Sequence, residues 1–141
     1  MSKAYGYSSY GGQETETWFD RPVPTPGPSE LVIEVRAVGV NPVDHKIRSG
    51  AMANPEATPG FPLVLGVEAS GVVVSLGSDV EGFAEGDAVL GKTAPEHGSY
   101  AEHAVLLAED ADAGELRTGG RVAGRGRDRL GRVGAARRRR G

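Results

Sequence analysis

Between residues 41 and 48 the chain reads Asn-Pro-Val-Asp-His-Lys-Ile-Arg, which sets an amide, a carboxylate, an imidazole and two cations within eight positions. Such a set can do hydrogen-bond and charge work on a ligand. Thiolate chemistry is excluded. With no cysteine there are no disulfides, thiolate zinc sites, iron–sulfur clusters or cysteine nucleophile, and His, Asp and Glu are the charged or imidazole metal ligands that remain. His45, His97 and His103 share no metal-ligand spacing, so each reads as a surface or loop histidine. No residue is assigned as a catalyst on spacing alone, and no metal is expected.

The cluster follows directly on the clearest strand of the sequence. Leu31, Ile33, Val35 and Ala37 alternate with Val32, Glu34 and Arg36, which predicts a strand with one buried and one watered face. Asn41 before Pro42, with Val43 and Ile47 four apart, predicts an N-capped helix of one or two turns. Residues 4–7 and 15–19 are expected to flank a turn at Gly11-Gly12. Residues 70–76, 88–90 and 99–107 complete a working count of six strands. The proline-rich stretch 22–28 cannot lie inside a sheet and is expected to cross in an extended, polyproline-like form. Gly39, Gly66, Gly71, Gly77, Gly86 and Gly91 read as turn and bulge positions that let strands bend around a small barrel.

Charge divides the chain. Residues 1–110 carry 6 Lys+Arg against 16 Asp+Glu, whereas residues 111–141 carry 10 Arg against 3 acids. The first part holds every aromatic, proline and lysine, and the second is arginine, glycine and alanine with few apolar residues. Two units follow: a β-domain over 1–108 and an Arg/Gly/Ala-rich tail over 109–141. The tail has no apolar face to offset its backbone entropy, so disorder or a frayed helix is expected there. A domain of about 110 residues buries about two-thirds of its surface on folding, enough for one irregular barrel. No apolar run approaches the roughly 18 residues of a spanning helix. The N-terminus shows no export signal, and a cytoplasmic protein is expected.

Three strings carry a resemblance: residues 38–50 (VGVNPVDHKIRSG), 65–77 (LGVEASGVVVSLG) and 80–89 (VEGFAEGDAV), with Gly98-Ser-Tyr-Ala-Glu102 beside them. In this order and spacing, they resemble the N-terminal, GroES-like catalytic domain of the medium-chain dehydrogenases/reductases, over essentially residues 1–108. The resemblance implies a mainly β fold, a partly open GroES-like barrel with short helices. The zinc enzymes of that superfamily place a cysteine ligand where Asn41 stands and a Gly-His-Glu triplet where Gly66-Val67-Glu68 stands. Residues 91–98 stand in place of their structural zinc lobe. The resemblance therefore narrows to the zinc-independent branch, the NADPH-dependent quinone oxidoreductases and enone reductases. It implies hydride transfer from NADPH to a small-molecule quinone or activated alkene, with no zinc.

On that resemblance Asn41, Lys46 and Arg48 face substrate or cofactor. The Asn41 amide would donate to a carbonyl oxygen, while serving as the helix N-cap. Lys46 would present a cation to a developing enolate, against the alternative of a merely solvated lysine. Arg48 would brace the cofactor side. Asp44, Gly66, Glu68, Gly71, Gly86 and Asp87 belong to the motif's structure, with Asp44 orienting its turn through backbone hydrogen bonds. Glu68 is expected either to pair with an arginine or simply to start its strand.

Family chains continue into a Rossmann domain. Here residues 124–130 (GRGRDRL) do not supply the strand-then-helix Gly-x-Gly-x-x-Gly of a dinucleotide fold, so that domain is expected to be absent and the chain alone inactive. A truncated or frameshifted reductase is the leading reading of the tail, and a homodimer is expected only with the Rossmann domain. An acidic β-domain with a nucleic-acid-binding arginine arm ranks second, since aromatic interleaving and Arg-Gly-Gly repeats are lacking. A non-catalytic GroES-like assembly module is the third reading, and residues 41–50 argue against it.

Overall fold

The computed structural model describes residues 1–113 and, beyond them, four three-residue strands. Within 1–113 lie β1 (Ser2–Tyr7), β2 (Glu16–Arg21), β3 (Glu30–Val38), α1 (Pro42–Arg48), β4 (Leu63–Val64), β5 (Glu68–Leu76), β6 (Ala88–Lys92), β7 (His103–Leu107) and β8 (Asp112–Ala113). They make two antiparallel sheets, a three-stranded one in the order β2-β1-β4 and a five-stranded one in the order β7-β3-β5-β6-β8. The architecture is mainly β and the barrel is not closed. Beyond Ala113, β9 (Leu116–Thr118) pairs with β10 (Arg121–Ala123), and β11 (Arg125–Arg127) with β12 (Val133–Ala135). The disorder expected of the rest of the tail lies outside the described residues.

The alternating strand, β3, lies between β7 and β5 in the larger sheet, and its inward side forms the main core. Leu31 and Ile33 pack with Val73, Phe83, Val89, Ala104 and Leu106. The other side departs from expectation. Val32 is fully buried, in a second cluster with Ala94 and Val105. Residues 93–94 fold across that face, with Ala94 N–H bonded to the Val105 carbonyl at 2.9 Å. Ala37, expected inside, is exposed, because a register shift between Val35 and Ala37 breaks the alternation while the strand stays paired with β5.

Two expected elements are reshaped. Residues 4–7 and 15–19 do pair, but through an eight-residue connection carrying a 3-10 turn at Gln13–Thr15 rather than a tight Gly-Gly turn. The stretch 99–107 is a strand only from His103, because Tyr100 to Glu102 bond to both sheets. Tyr5 N–H donates to the Tyr100 carbonyl (2.7 Å), Glu102 N–H to the Lys3 carbonyl (2.9 Å), and Val35 N–H to the Glu102 carbonyl (2.9 Å). β4 and β8 are additions that two-residue pairing hid from any periodicity. Ala111 is fully buried and β8 pairs with β6, so packing continues past residue 108. Residues 22–27 form no strand, as expected of their prolines.

Gly71 sits beside a register shift between Val35 and Ala37 of β3. A Cβ there would stand 2.0 Å from the Glu34 carbonyl oxygen, so only glycine lets the strands approach this closely.

Candidate functional site

The helix is built as its sequence predicts. Asn41 is extended (φ −125°, ψ 149°) at the N-cap, Pro42 opens the first turn, and Asp44 accepts the Asn41 N–H on Oδ2 at 2.9 Å. That bond ties the Asp44 carboxylate back to the backbone that leads into the helix. Gly50, at φ +86°, follows the C-terminus, and its bare Cα lies against the Tyr10 ring.

Asn41 does more than cap. Its Nδ2 donates to Glu68 Oε1 at 3.0 Å, across from the helix to the first residue of β5. Glu68 therefore starts its strand and holds an amide, not an arginine. One of the two amide hydrogens is used, and the second has no partner among the described residues. Beside it Val38 and Val40 expose apolar surface, Val40 to 81%.

Lys46 is exposed on α1, on the side of the helix away from Asp44; its carbonyl accepts the Ser49 hydroxyl at 2.8 Å, and its ammonium has no hydrogen-bond or ion-pair partner among the described residues. Arg48 turns to the smaller sheet. Its Nη1 pairs with Glu16 Oε1, its Nε donates to the Gly11 carbonyl at 3.4 Å, and its own carbonyl accepts the Gly11 N–H at 3.0 Å. Tyr5 O–H donates to the other Glu16 oxygen at 2.5 Å, which pushes the Tyr5 phenol up from its ordinary pKa. The structure thus joins Asn41 with Glu68, and sets Lys46 and Arg48 elsewhere on α1.

The remaining motif residues shape the frame. Asp87 Oδ2 accepts the Ala84 N–H at 2.9 Å, closing the turn before β6, and Gly86 there has φ +89° with open space around it. Gly66 has φ +96°, and a Cβ would stand 2.0 Å from Ser99 Oγ and 2.7 Å from the Tyr100 ring.

Under α1 opens a cavity of about 880 Å³, bordered by Tyr7, Tyr10, Asp44, Ile47, Leu63 and Thr93 among others. Asp44 is 7% exposed. Tyr100 O–H donates to its Oδ2 at 2.8 Å, while Oδ1 has no partner among the described residues. Burial, with the bond to Asp44 second, pushes the Tyr100 phenol up to about 12. Tyr100, Tyr7 and Tyr10 were not singled out from the sequence. The signal for Tyr100 was its place in the Gly98-Ser-Tyr-Ala-Glu102 string, but only the folded chain brings residues 44 and 100 together.

The comparisons with known proteins fix the class. The model of the alcohol dehydrogenase GroES-like domain matches residues 27–121. The chain belongs to that family, within the medium-chain dehydrogenase/reductase superfamily. It is 38% identical over 109 residues to a quinone oxidoreductase of Pseudomonas aeruginosa, covering 77% of this chain and 32% of that one. It is 43% identical over 90 residues to the trans-enoyl reductase RAP2 of Pyricularia oryzae, covering 60% and 24%. Among solved structures, a quinone oxidoreductase of Pseudomonas syringae superposes with a TM-score of 0.71 at 34% identity, over 84% of this chain and 34% of the other. That of Escherichia coli, complexed with NADPH, gives 0.65 at 27%, over 79% and 32%. The chain thus spans about a quarter to a third of the length of these oxidoreductases. Among the described residues, no helix is long and apolar enough to cross a membrane.

Proposed function

We propose that residues 1–108 are the substrate-side domain of an NADPH-dependent, zinc-independent reductase of quinones or enones, followed by a tail over 109–141. The observation that carries the reading is the Asn41 amide, fixed by Glu68 with one N–H to spare, on a rim flanked by exposed Val38 and Val40. A planar, carbonyl-bearing ring needs an apolar surface and a donor of this kind. Where the zinc relatives carry their cysteine and histidine ligands, this chain has Asn41, already bonded, and Val67, which has no donor atom.

NADPH fits these residues in part. The rim suits the nicotinamide ring and its carboxamide. The pyrophosphate finds no cradle among the described residues, because α1 opens on a proline without an N–H and no glycine-rich turn leads a strand into it. When bound, NADPH supplies a hydride, and with one proton the quinone becomes a hydroquinone. This chain's part is to seat the acceptor against Val38 and Val40 and to donate from Asn41 to the oxygen on which charge grows. Lys46, on the exposed side of α1, adds a cation to that field. Without a pyrophosphate cradle the described residues bind an acceptor but do not turn it over.

A chimera tests the reading. Residues 1–108 replace the matching segment of the Pseudomonas aeruginosa quinone oxidoreductase. NADPH oxidation should then depend on added quinone or enone and survive a zinc chelator, and Asn41→Ala should cut kcat by about 10²-fold. The proposal fails if the chimera folds and binds NADPH yet reduces neither substrate class, or if its activity follows zinc.

A further inference from the structure

The cavity under α1 is not described by the Asn41 rim, and one of its walls is aromatic. Tyr7 and Tyr10 border it, and Phe61 stands behind both with its ring edge-on. The ring centroids are 5.9 Å apart at 67° for Tyr7 and Phe61, and 5.1 Å apart at 82° for Tyr10 and Phe61. Edge-to-face packing of this kind fixes ring planes, so a flat ligand meets a preset surface. Ile47, Met52 and Leu63 make the neighbouring wall apolar as well. At about 880 Å³ the space lies near the top of the roughly 300–1,000 Å³ of small-molecule sites, more than a single ring fills.

Tyr10 lies in the connection between β1 and β2 and is 39% exposed, so something else must hold it. Two contacts do. Gly50 at the end of α1 leaves room for its ring, with Tyr10 Cγ 3.1 Å from where a Cβ would stand. Next in the chain, Gly11 is clamped to Arg48 by two hydrogen bonds, Gly11 N–H to the Arg48 carbonyl and Arg48 Nε to the Gly11 carbonyl. Glu16 in turn fixes the guanidinium. The Arg48–Glu16 pair thus sits behind the aromatic wall, while the charged groups that border the cavity, Asp44, Lys92 and Glu96, belong to its other sides.

We infer that Tyr7, Tyr10 and Phe61 form a specificity wall for flat acceptors of two fused rings, with Arg48 as a positioning residue that holds Tyr10 in line. The inference rests on the quinone reading above and names the acceptor's size and shape. It selects two-ring quinones over single-ring ones, because the cavity holds more than one ring fills and a second fused ring adds a flat face against Tyr7 and Tyr10.

Equilibrium dialysis of the full chain tests it with fully substituted probes that do not add amines: 2,3-dimethyl-1,4-naphthoquinone and tetramethyl-1,4-benzoquinone. The chain has no thiol to form adducts. The two-ring quinone should bind about tenfold more tightly. Tyr10→Ala should weaken it roughly three- to tenfold and leave the one-ring probe unchanged. Arg48→Ala should reproduce that loss selectively, with Arg48→Lys restoring part of it, whereas a merely structural role would weaken both probes alike. Far-ultraviolet circular dichroism checks the fold, and Phe61→Leu gives a second variant should Tyr10→Ala unfold. Equal binding of one and two rings, no binding of either, or a ratio unmoved by both Tyr10→Ala and Phe61→Leu overturns the wall. If 2,3-dimethylnaphthalene, which has no carbonyl, binds as well as its quinone, the wall stands and the quinone reading fails.

Discussion

Two glycines separate what backbone conformation costs from what packing costs. Gly66 and Gly86 have nearly the same φ, +96° and +89°. At Gly86 an added Cβ meets nothing within 4 Å, whereas at Gly66 it lands 2.0 Å from Ser99 Oγ and 2.7 Å from the Tyr100 ring. Gly86→Ala therefore adds only the cost of an alanine at positive φ, about 1–2 kcal/mol. Gly66→Ala adds that and a steric term. Ser99 is fully buried and cannot swing out to solvent, so overpacking adds about 1–3 kcal/mol, for a total of about 2–5 kcal/mol. Urea unfolding followed by circular dichroism reads both variants against the parent. The side effect is specific too, since displacing Tyr100 pulls its hydroxyl from Asp44 and loosens the start of α1. If Gly66→Ala costs no more than Gly86→Ala, the close packing of β4's exit against residues 99–100 is not what sets this site.

Other outcomes follow from the charged groups. Tyr100 has its folded pKa pushed up from 10 to about 12, so its contribution is intact below about pH 10 and lost as pH rises through 12, because the unfolded chain gives up the proton first. Unfolding midpoints taken from pH 9 to 12 should fall less steeply in Tyr100→Phe, and an unchanged slope counts against the assignment. The Glu16 and Arg48 side chains are only 11% and 17% exposed. Glu16→Gln, which leaves that guanidinium without its countercharge, should destabilise by about 3 kcal/mol, and Glu16→Leu with Arg48→Met together by less. Strictly additive losses would show that the pair is not coupled.

Much of the frame was written locally. The alternation of residues 31–37 marks β3, and Asn41, Pro42 and Asp44 spell the start of α1, since caps and strand faces depend on neighbours a few positions away. Contacts set by distant segments were not readable this way. Val32 looked like a solvent-facing position until residues 93–94 covered it. Residues 99–102 carry strand-like composition, yet they bridge two sheets instead of extending one. At the site, the motif named Asn41 and Glu68 without showing that they meet. Arg48 looked free for a ligand because its partner, Glu16, lies 32 residues away. The cavity's aromatic wall draws on residues 7, 10 and 61, a spacing that no local pattern encodes.

The strip from Tyr100 to Glu102 is a seam sewn to both sheets, and the cavity opens beside it with Tyr7 and Leu63 from one sheet and Lys92 from the other along its walls. An occupant would act there as mortar between two leaves of masonry. Whatever fills the space holds the two sheets against unfolding, the more so the more tightly it is bound.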